Sequence, residues 1–408
     1  FVLLFYKPRT MQRQYTLFDD SRRNNLLPLT FTRPVSEIRI GILTITQKWE
    51  KQLGVEFTFM TAEYLQEKYK APMSNTETCL INGGVIPDQN LSDQISKLNL
   101  GEALAWNDVL IAAVVPLVPS PSYTPQLDNF RKVKSIKEKP FMVSNPWDIF
   151  TQNGKTLEQD YELLTKGRKS EPISNTNRVL NPERVFIEKG AKIECAILNA
   201  ASGPIYIGAN AEVMEGSIVR GPFALCDSSI LKLGAKIYGP TTIGPNSKVG
   251  GEVNNSVIFG NSNKAHDGFL GNSVLGEWCN IGADSNNSNL KNNYANVKLW
   301  NYNTKGFVDT GLQFCGLIMG DHSKCGINTM FNTGTVVGVS ANIFGSGFPR
   351  NFIPSFSWGG AQGFSIYKVE KAIETAELVY GRRNLNFTEV DKKIFNKVFE
   401  ITKEFRNY

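Results

Sequence analysis

From Ile207 every sixth residue is aliphatic: Ile207, Val213, Val219, Leu225, Leu231, Ile237, Ile243 and Val249. An amphipathic helix repeats near 3.6 residues and a strand at 2, so a six-residue period fits neither. It fits a parallel β-helix, in which each unit is one short flat strand and one turn. Three units close a triangular coil, the aliphatic residue points into the prism, and coils stack at about 4.8 Å, the ordinary strand spacing. Gly or another small residue flanks many of these positions, as in IGANAE, IYGPTT, IGPNSK and VGGEVN. Corners demand left-handed backbone angles that Gly and Asn tolerate, so the coil is expected to be left-handed. The period is expected to resume at Phe269, Leu275 and Ile281, and again at Met319, Cys325, Phe331, Val337 and Ile343. Residues 284–317 interrupt it. That is too long for a turn, so an arm is expected to leave the prism there and reach over a neighbouring subunit's site.

Three other zones flank the prism. Residues 11–165 alternate helix-like runs (LTITQKWEKQL) with strand-like ones (TCLING, and VLIAAVVPLV stopped by Pro), which predicts an α/β domain with an open mixed sheet. Residues 166–184 are polar and aperiodic and read as a linker. The β-helix is expected over 185–362 and a helical segment over 363–408. In that tail Val369, Ala372, Ile373, Ala376 and Val379 share one helical face. Thr388 can cap a second helix carrying Val390, Ile394, Val398 and Ile401. Both helices are expected on the prism's end, covering open strand edges. Residues 1–10 read as an extension upstream of Met11, and no run is long enough to span a membrane.

Net charge is +6, with no block of five Lys or Arg and no nucleic-acid motif, so phosphorylated small molecules are the expected partners rather than nucleic acid. Six cysteines lie scattered without a C-x-x-C pair, which suits free thiols and a cytoplasmic location. With two histidines the chain has no zinc-site spacing.

One of those histidines lies in KAHDGFLGNSVLGEWCNIGADSNNSN. This stretch resembles the acetyltransferase segment of the GlmU family, bifunctional enzymes that acetylate glucosamine-1-phosphate and then uridylylate it. The resemblance runs through His266, Leu270-Gly271, Asn280-Ile281-Gly282-Ala283 and Asn289. It implies His266 as general base, Asn280 and Asn289 as holders of sugar or acetyl groups, and Ala283 as a backbone contact for acetyl-CoA. It implies a homotrimer too. Phe269 stands where the family has a tyrosine, and Leu290 where a tyrosine follows the asparagine. The residue types suit the reaction: an amine must shed a proton as it attacks a thioester, and an imidazole, ordinarily near pKa ~6.5, can take it. Asparagine amides can donate to a developing oxyanion. Without the resemblance, His266 and these asparagines read equally as corner residues. His322, in GDHSKCG, reads as structural or weakly ligand-contacting.

The segment LFDDSRRNNLLPLTFTRPV resembles the opening of sugar-1-phosphate nucleotidyltransferases, a nucleotide-diphospho-sugar transferase-like fold. Leu-x-Pro-Leu-Thr is present at 26–30, but Ser21-Arg22-Arg23-Asn24-Asn25 replaces the Gly-rich phosphate loop and Val35 replaces a lysine. Arg22, Arg23, Arg33 and Arg39, with Asn82, are candidate phosphate or nucleotide contacts, the arginines being otherwise fold-bracing charges. Asn82 stands where that fold puts a metal-binding aspartate, which leaves Asp108 as the candidate ligand for Mg²⁺. The main expectation is acetyl transfer in the β-helix, with nucleotidyl transfer to a UDP-N-acetylglucosamine-type product in the N-terminal domain. The alternatives are nucleotidyl transfer alone with a structural β-helix, and a catalytically degenerate trimeric sugar-nucleotide-binding protein.

Overall fold

A computed structural model describes residues 13–73, 76–118 and 123–408; the expectation for residues 1–10 lies outside them. The chain forms two units. One comprises the chain up to Asp20 together with Ile45–Met142, the other Ser21–Thr44 together with Val143–Tyr408.

The first unit is an open mixed sheet. Its strands are β1 (Gln14–Phe18), β2 (Phe57–Met60), β3 (Thr78–Asn82), β4 (Glu102–Trp106), β5 (Val109–Val115) and β6 (Lys132–Ser135), in the order β2-β1-β3-β5-β4-β6. β1 runs parallel to β2 and β3, whereas β5 is antiparallel to β3 and β4. β5 ends before Pro116, which has no N–H to continue the ladder. Among its described residues are two α-helices, α1 (Ile45–Leu53) and α2 (Gln89–Ser96). α1 buries Trp49 fully and ties its indole N–H to the Val85 carbonyl at 2.8 Å. Asp88 caps α2 by accepting from Leu91 N at 2.8 Å.

The second unit is a three-faced parallel β-helix. The first face holds six strands, from Arg178–Leu180 up to Phe269–Gly271, and the second nine, from Val185–Ile187 up to Phe352–Ile353. The third holds ten, from Lys192–Ile193 up to the closing antiparallel pair Ser357–Gly360 and Gly363–Ile366. All eight aliphatics of the 207–249 series lie in one buried core with Leu275, Ile281, Met319, Cys325, Phe331, Val337 and Ile343. Phe269 does not. It pairs with Glu252 on the outside, and Leu270, opposite Val253, points in. The turns after Val249 are shortened, so the inward residues are Val253, Ile258, Lys264 and Leu270, steps of four, five, six and six. The period therefore runs on where the sequence pattern breaks.

One corner of the prism is a column of left-handed residues: Asn210, Ser228, Asn246, Asn261, Trp278, His322, Ser340 and Phe356, all with φ between 54° and 62°. Each amide from Asn246 to Phe356 bonds a carbonyl one coil below, as Asn246 N does to Asp227 O at 3.0 Å. Left-handed angles are costly for bulky side chains. Trp278, His322 and Phe356 adopt them because each packs on a C-terminal helix.

Four helices belong to this unit: α3 (Pro146–Thr151), α4 (Asn153–Thr165), α5 (Val369–Gly381) and α6 (Glu389–Ile401). Thr388 caps α6 in a reciprocal box with Asp391. Tyr380 of α5 stacks on Trp278 at 4.0 Å, Phe395 of α6 meets His322 edge-on at 4.9 Å, and Phe399 meets Phe356 at 5.2 Å. The helices thus lie along this corner rather than capping the end, because the aromatic column offers more apolar surface than a strand edge. The arm after Asp284 carries a hairpin, Lys298–Asn301 with Gly306–Asp309. It folds back on its own chain, where Trp300 stacks on Phe352 at 4.2 Å and Tyr302 meets Phe31 at 5.2 Å.

Candidate functional site

The outer row of the third face carries Lys248, Asn263, Asn280 and Lys324, each opposite the next in register. The left-handed corner bounds this row on one side, with Val379 of α5 and Arg382 and Arg383 just beyond it. The opposite corner bounds it on the other, with His266, Ala283 and Ile327 on successive coils; Asp284 N bonds Asp267 O at 3.0 Å and Asn328 N bonds Ala283 O at 2.8 Å between those coils. The row residues, Val379, Arg382, Arg383, His266, Ala283 and Ile327 line a groove of about 790 Å³.

His266 is exposed at the groove's rim. Its neighbour one coil up is Ala283, which lines the groove with it. Five lining residues are basic or imidazole (Lys248, His266, Lys324, Arg382, Arg383), and among the described residues none of the lining is Asp or Glu. Such a groove attracts phosphate-bearing anions. Burial pulls the Lys324 ammonium below its usual range, and its Nζ donates to His322 O at 2.9 Å. Burial, then the adjacent Arg382, do the same to Arg383. That guanidinium donates to Asn246 O at 2.5 Å and lies 5.4 Å over the Trp278 ring, so it anchors α5 while facing the groove.

The structure therefore brings together His266, Asn280 and Ala283. Phe269 and Asn289 lie round the corner on the adjoining face, where a Cβ on Gly271 would meet the Phe269 ring at 2.4 Å and Asn289 Nδ2 at 2.8 Å. Asn289 Nδ2 donates to Asn272 Oδ1 at 2.8 Å. His266 stands on the corner joining the two groups. His322, 5% exposed, is packing in the aromatic column.

The N-terminal candidates are engaged in protein contacts. Arg23 Nη2 donates to Thr30 O at 2.5 Å, and Arg22 shares its short 3-10 helix, Ser21–Leu26. Arg33, 4% exposed, pairs with Asp321 of the β-helix, and Arg39 donates to Phe259 O at 2.9 Å and to Ile42 O. Within their own unit Arg23, Arg33 and Arg39 thus make contacts that brace the chain. Asn82 is buried, donating to Asp20 Oδ2 at 2.7 Å and Leu110 O at 3.0 Å while accepting from Gly84 N at 3.0 Å. Asp108 is exposed in the turn between β4 and β5, and no three metal-ligating side chains cluster among the described residues. A lone carboxylate on a hairpin turn does not fit Mg²⁺, which needs near-octahedral oxygens.

Sequence reasoning missed Lys248, Lys324, Arg382 and Arg383. The first two could have been found one residue ahead of inward Val249 and Cys325. The arginines could not, because only the packing of α5 brings them to the groove.

The described residues thus comprise an α/β sheet unit and a parallel β-helix with a histidine-rimmed cationic groove. Residues 15–169 match the family model described as sugar nucleotidyl transferase. The chain is 28% identical over 331 residues to the Bifunctional protein GlmU of Methanocaldococcus jannaschii, covering 80% of this chain and 65% of that one. It is 25% identical over 284 residues to the bifunctional sugar-1-phosphate nucleotidylyltransferase/acetyltransferase of Sulfurisphaera tokodaii, covering 68% and 60%. The chain thus spans less than two thirds of these relatives' length, 65% and 60%. Among solved structures it matches a UDP-N-acetylglucosamine acyltransferase from Campylobacter jejuni at 12% identity and a TM-score of 0.31, covering 57% of this chain and 83% of that one. The chain is thus similar to bifunctional GlmU-type transferases. Among its described residues no helix is long and apolar enough to cross a membrane.

Proposed function

We propose that the β-helix transfers acetyl from acetyl-CoA to the amine of an aminosugar-1-phosphate, with His266 as general base. The observation that carries this is the exposed imidazole at the rim of a groove lined by cations and, among the described residues, by no carboxylate, with Asn280 and Ala283 beside it. The CoA phosphates lie in the groove near Lys248, Lys324 and Arg382, and the sugar approaches the corner from the Phe269 and Asn289 side. The amine nitrogen attacks the thioester carbonyl, the C–S bond breaks, and His266 takes the amine proton and passes it to the departing thiolate. Asn280 supplies an amide donor for the oxyanion.

The exposed apolar residues Leu180, Ile197 and Ile218 on the first face support a homotrimer in which a second copy completes the site. Sedimentation at micromolar concentration is expected to give three times the chain mass, and a monomer would count against it. The cytoplasm is the expected location of such chemistry.

The test incubates the protein with acetyl-CoA and glucosamine-1-phosphate and follows free CoA and acetylated sugar by chromatography. Turnover is expected. The double variant Lys248→Ala/Arg382→Ala is expected to raise the KM for acetyl-CoA at least about tenfold, since each charge-assisted hydrogen bond contributes roughly 1.5–3 kcal/mol. An unchanged KM would remove the groove as the CoA site. The match of residues 15–169 favours a second reading, nucleotidyl transfer from a nucleoside triphosphate to a sugar-1-phosphate. Pyrophosphate release that survives loss of His266 would support it.

A further inference from the structure

Inside the prism, the third face's inward row reads Ile193, Val213, Leu231, Val249, then Lys264, then Ile281, Cys325 and Ile343. A lysine takes a position that the other coils fill with Ile, Val, Leu or Cys. It is 2% exposed. Burying an ammonium there is costly unless it is bonded, and Lys264 Nζ donates to the carbonyl of His266 at 2.5 Å.

We propose that Lys264 is a positioning residue for His266: an ammonium carried inside the prism clamps the carbonyl of the residue whose imidazole faces the groove. Three observations converge on this. First, the bond goes to the backbone of the one groove-rim histidine, two residues along the same chain, so it fixes the turn rather than joining distant elements. Second, the coil below is cut away to receive that turn. A Cβ on Gly250 would meet Ala265 O at 2.6 Å, and one on Gly251 would meet His266 O at 2.8 Å. The His266 carbonyl is thus seated between bare backbone and the lysine. Third, burial pushes the Lys264 pKa down to about 8, against the pull of Asp267, Cys325 and Asp284, so the position tolerates an energetic penalty that an aliphatic residue would avoid. A merely structural site would have kept the aliphatic side chain of its neighbours.

The kinetic consequence rests on the acetyl-transfer reading; the clamp itself does not. The test compares wild type with Lys264→Met and Lys264→Leu, both suited to an apolar row. Histidine side-chain NMR is legible because the chain holds only two histidines, and His266→Ala assigns the signals. Both variants are expected to melt at or above the wild-type temperature. Their His266 signal is expected to shift or split, and kcat to fall on the order of tenfold to a hundredfold with KM within about twofold, as displaced catalytic groups do. An unmoved His266 signal with wild-type kcat would overturn the proposal. So would failure of both variants to fold, which would make the lysine plain structural support. If the wild type itself transfers no acetyl group, the acetyl-transfer reading falls, and the NMR comparison still decides the clamp.

Discussion

Replacing His266 by alanine is expected to lower acetyl transfer by about 10²–10⁴-fold, the range a positioned general base supplies. The fold should be unaffected. The side chain is exposed on a corner, and the corner is held through its carbonyl, which alanine retains. Surface substitutions of this kind change stability within about 0.5 kcal/mol. The loss should fall on kcat, because the base acts only as the amine proton departs, while binding of acetyl-CoA in the cationic groove persists. Chromatographic measurement of CoA and acetylated sugar checks it. A variant retaining more than about a tenth of wild-type kcat would exclude His266 as the base and return it to a corner residue.

Replacing Asp321 by alanine is expected to cost about 3–5 kcal/mol of stability, the loss typical of breaking one side of a buried ion pair. Asp321 is 4% exposed and accepts from Thr32 Oγ1 at 2.6 Å, from Arg33 and from Glu277 N at 2.9 Å. Its loss removes the buried carboxylate that pairs with Arg33, whose guanidinium lies 5.1 Å from the Phe259 ring and 3.4 Å from the more exposed Glu277 carboxylate. The Ser21–Thr44 segment should detach from the β-helix unit first, since Thr32 and Arg33 both belong to it. Urea unfolding followed by tryptophan fluorescence would report the change, and a wild-type midpoint would remove Asp321 as the anchor.

Much of this molecule is legible in its residues. The aliphatic period from Ile207 to Val249 is the prism's interior, because a side chain every sixth residue can be buried only if the backbone turns on that period. Thr388 with Asp391 marks the start of α6 by local hydrogen bonding alone. His266, Asn280 and Ala283 share a groove because coils of nearly equal length stack equivalent positions.

Other features needed three dimensions. Lys264 looks like a surface residue until the shortened turns after Val249 put it in the inward row. Trp278, His322 and Phe356 look unsuited to left-handed corners until α5 and α6 supply the aromatic contacts that offset the strain. Arg33 and Arg39 suit phosphate contacts or braces equally until the β-helix offers Asp321 and the Phe259 carbonyl. By itself the sequence determined the prism and its histidine corner, since both follow from local spacing. Only the tertiary structure decided which charges face the groove and which brace the fold, because that depends on partners remote in sequence, such as Asp321, which lies 288 residues from Arg33.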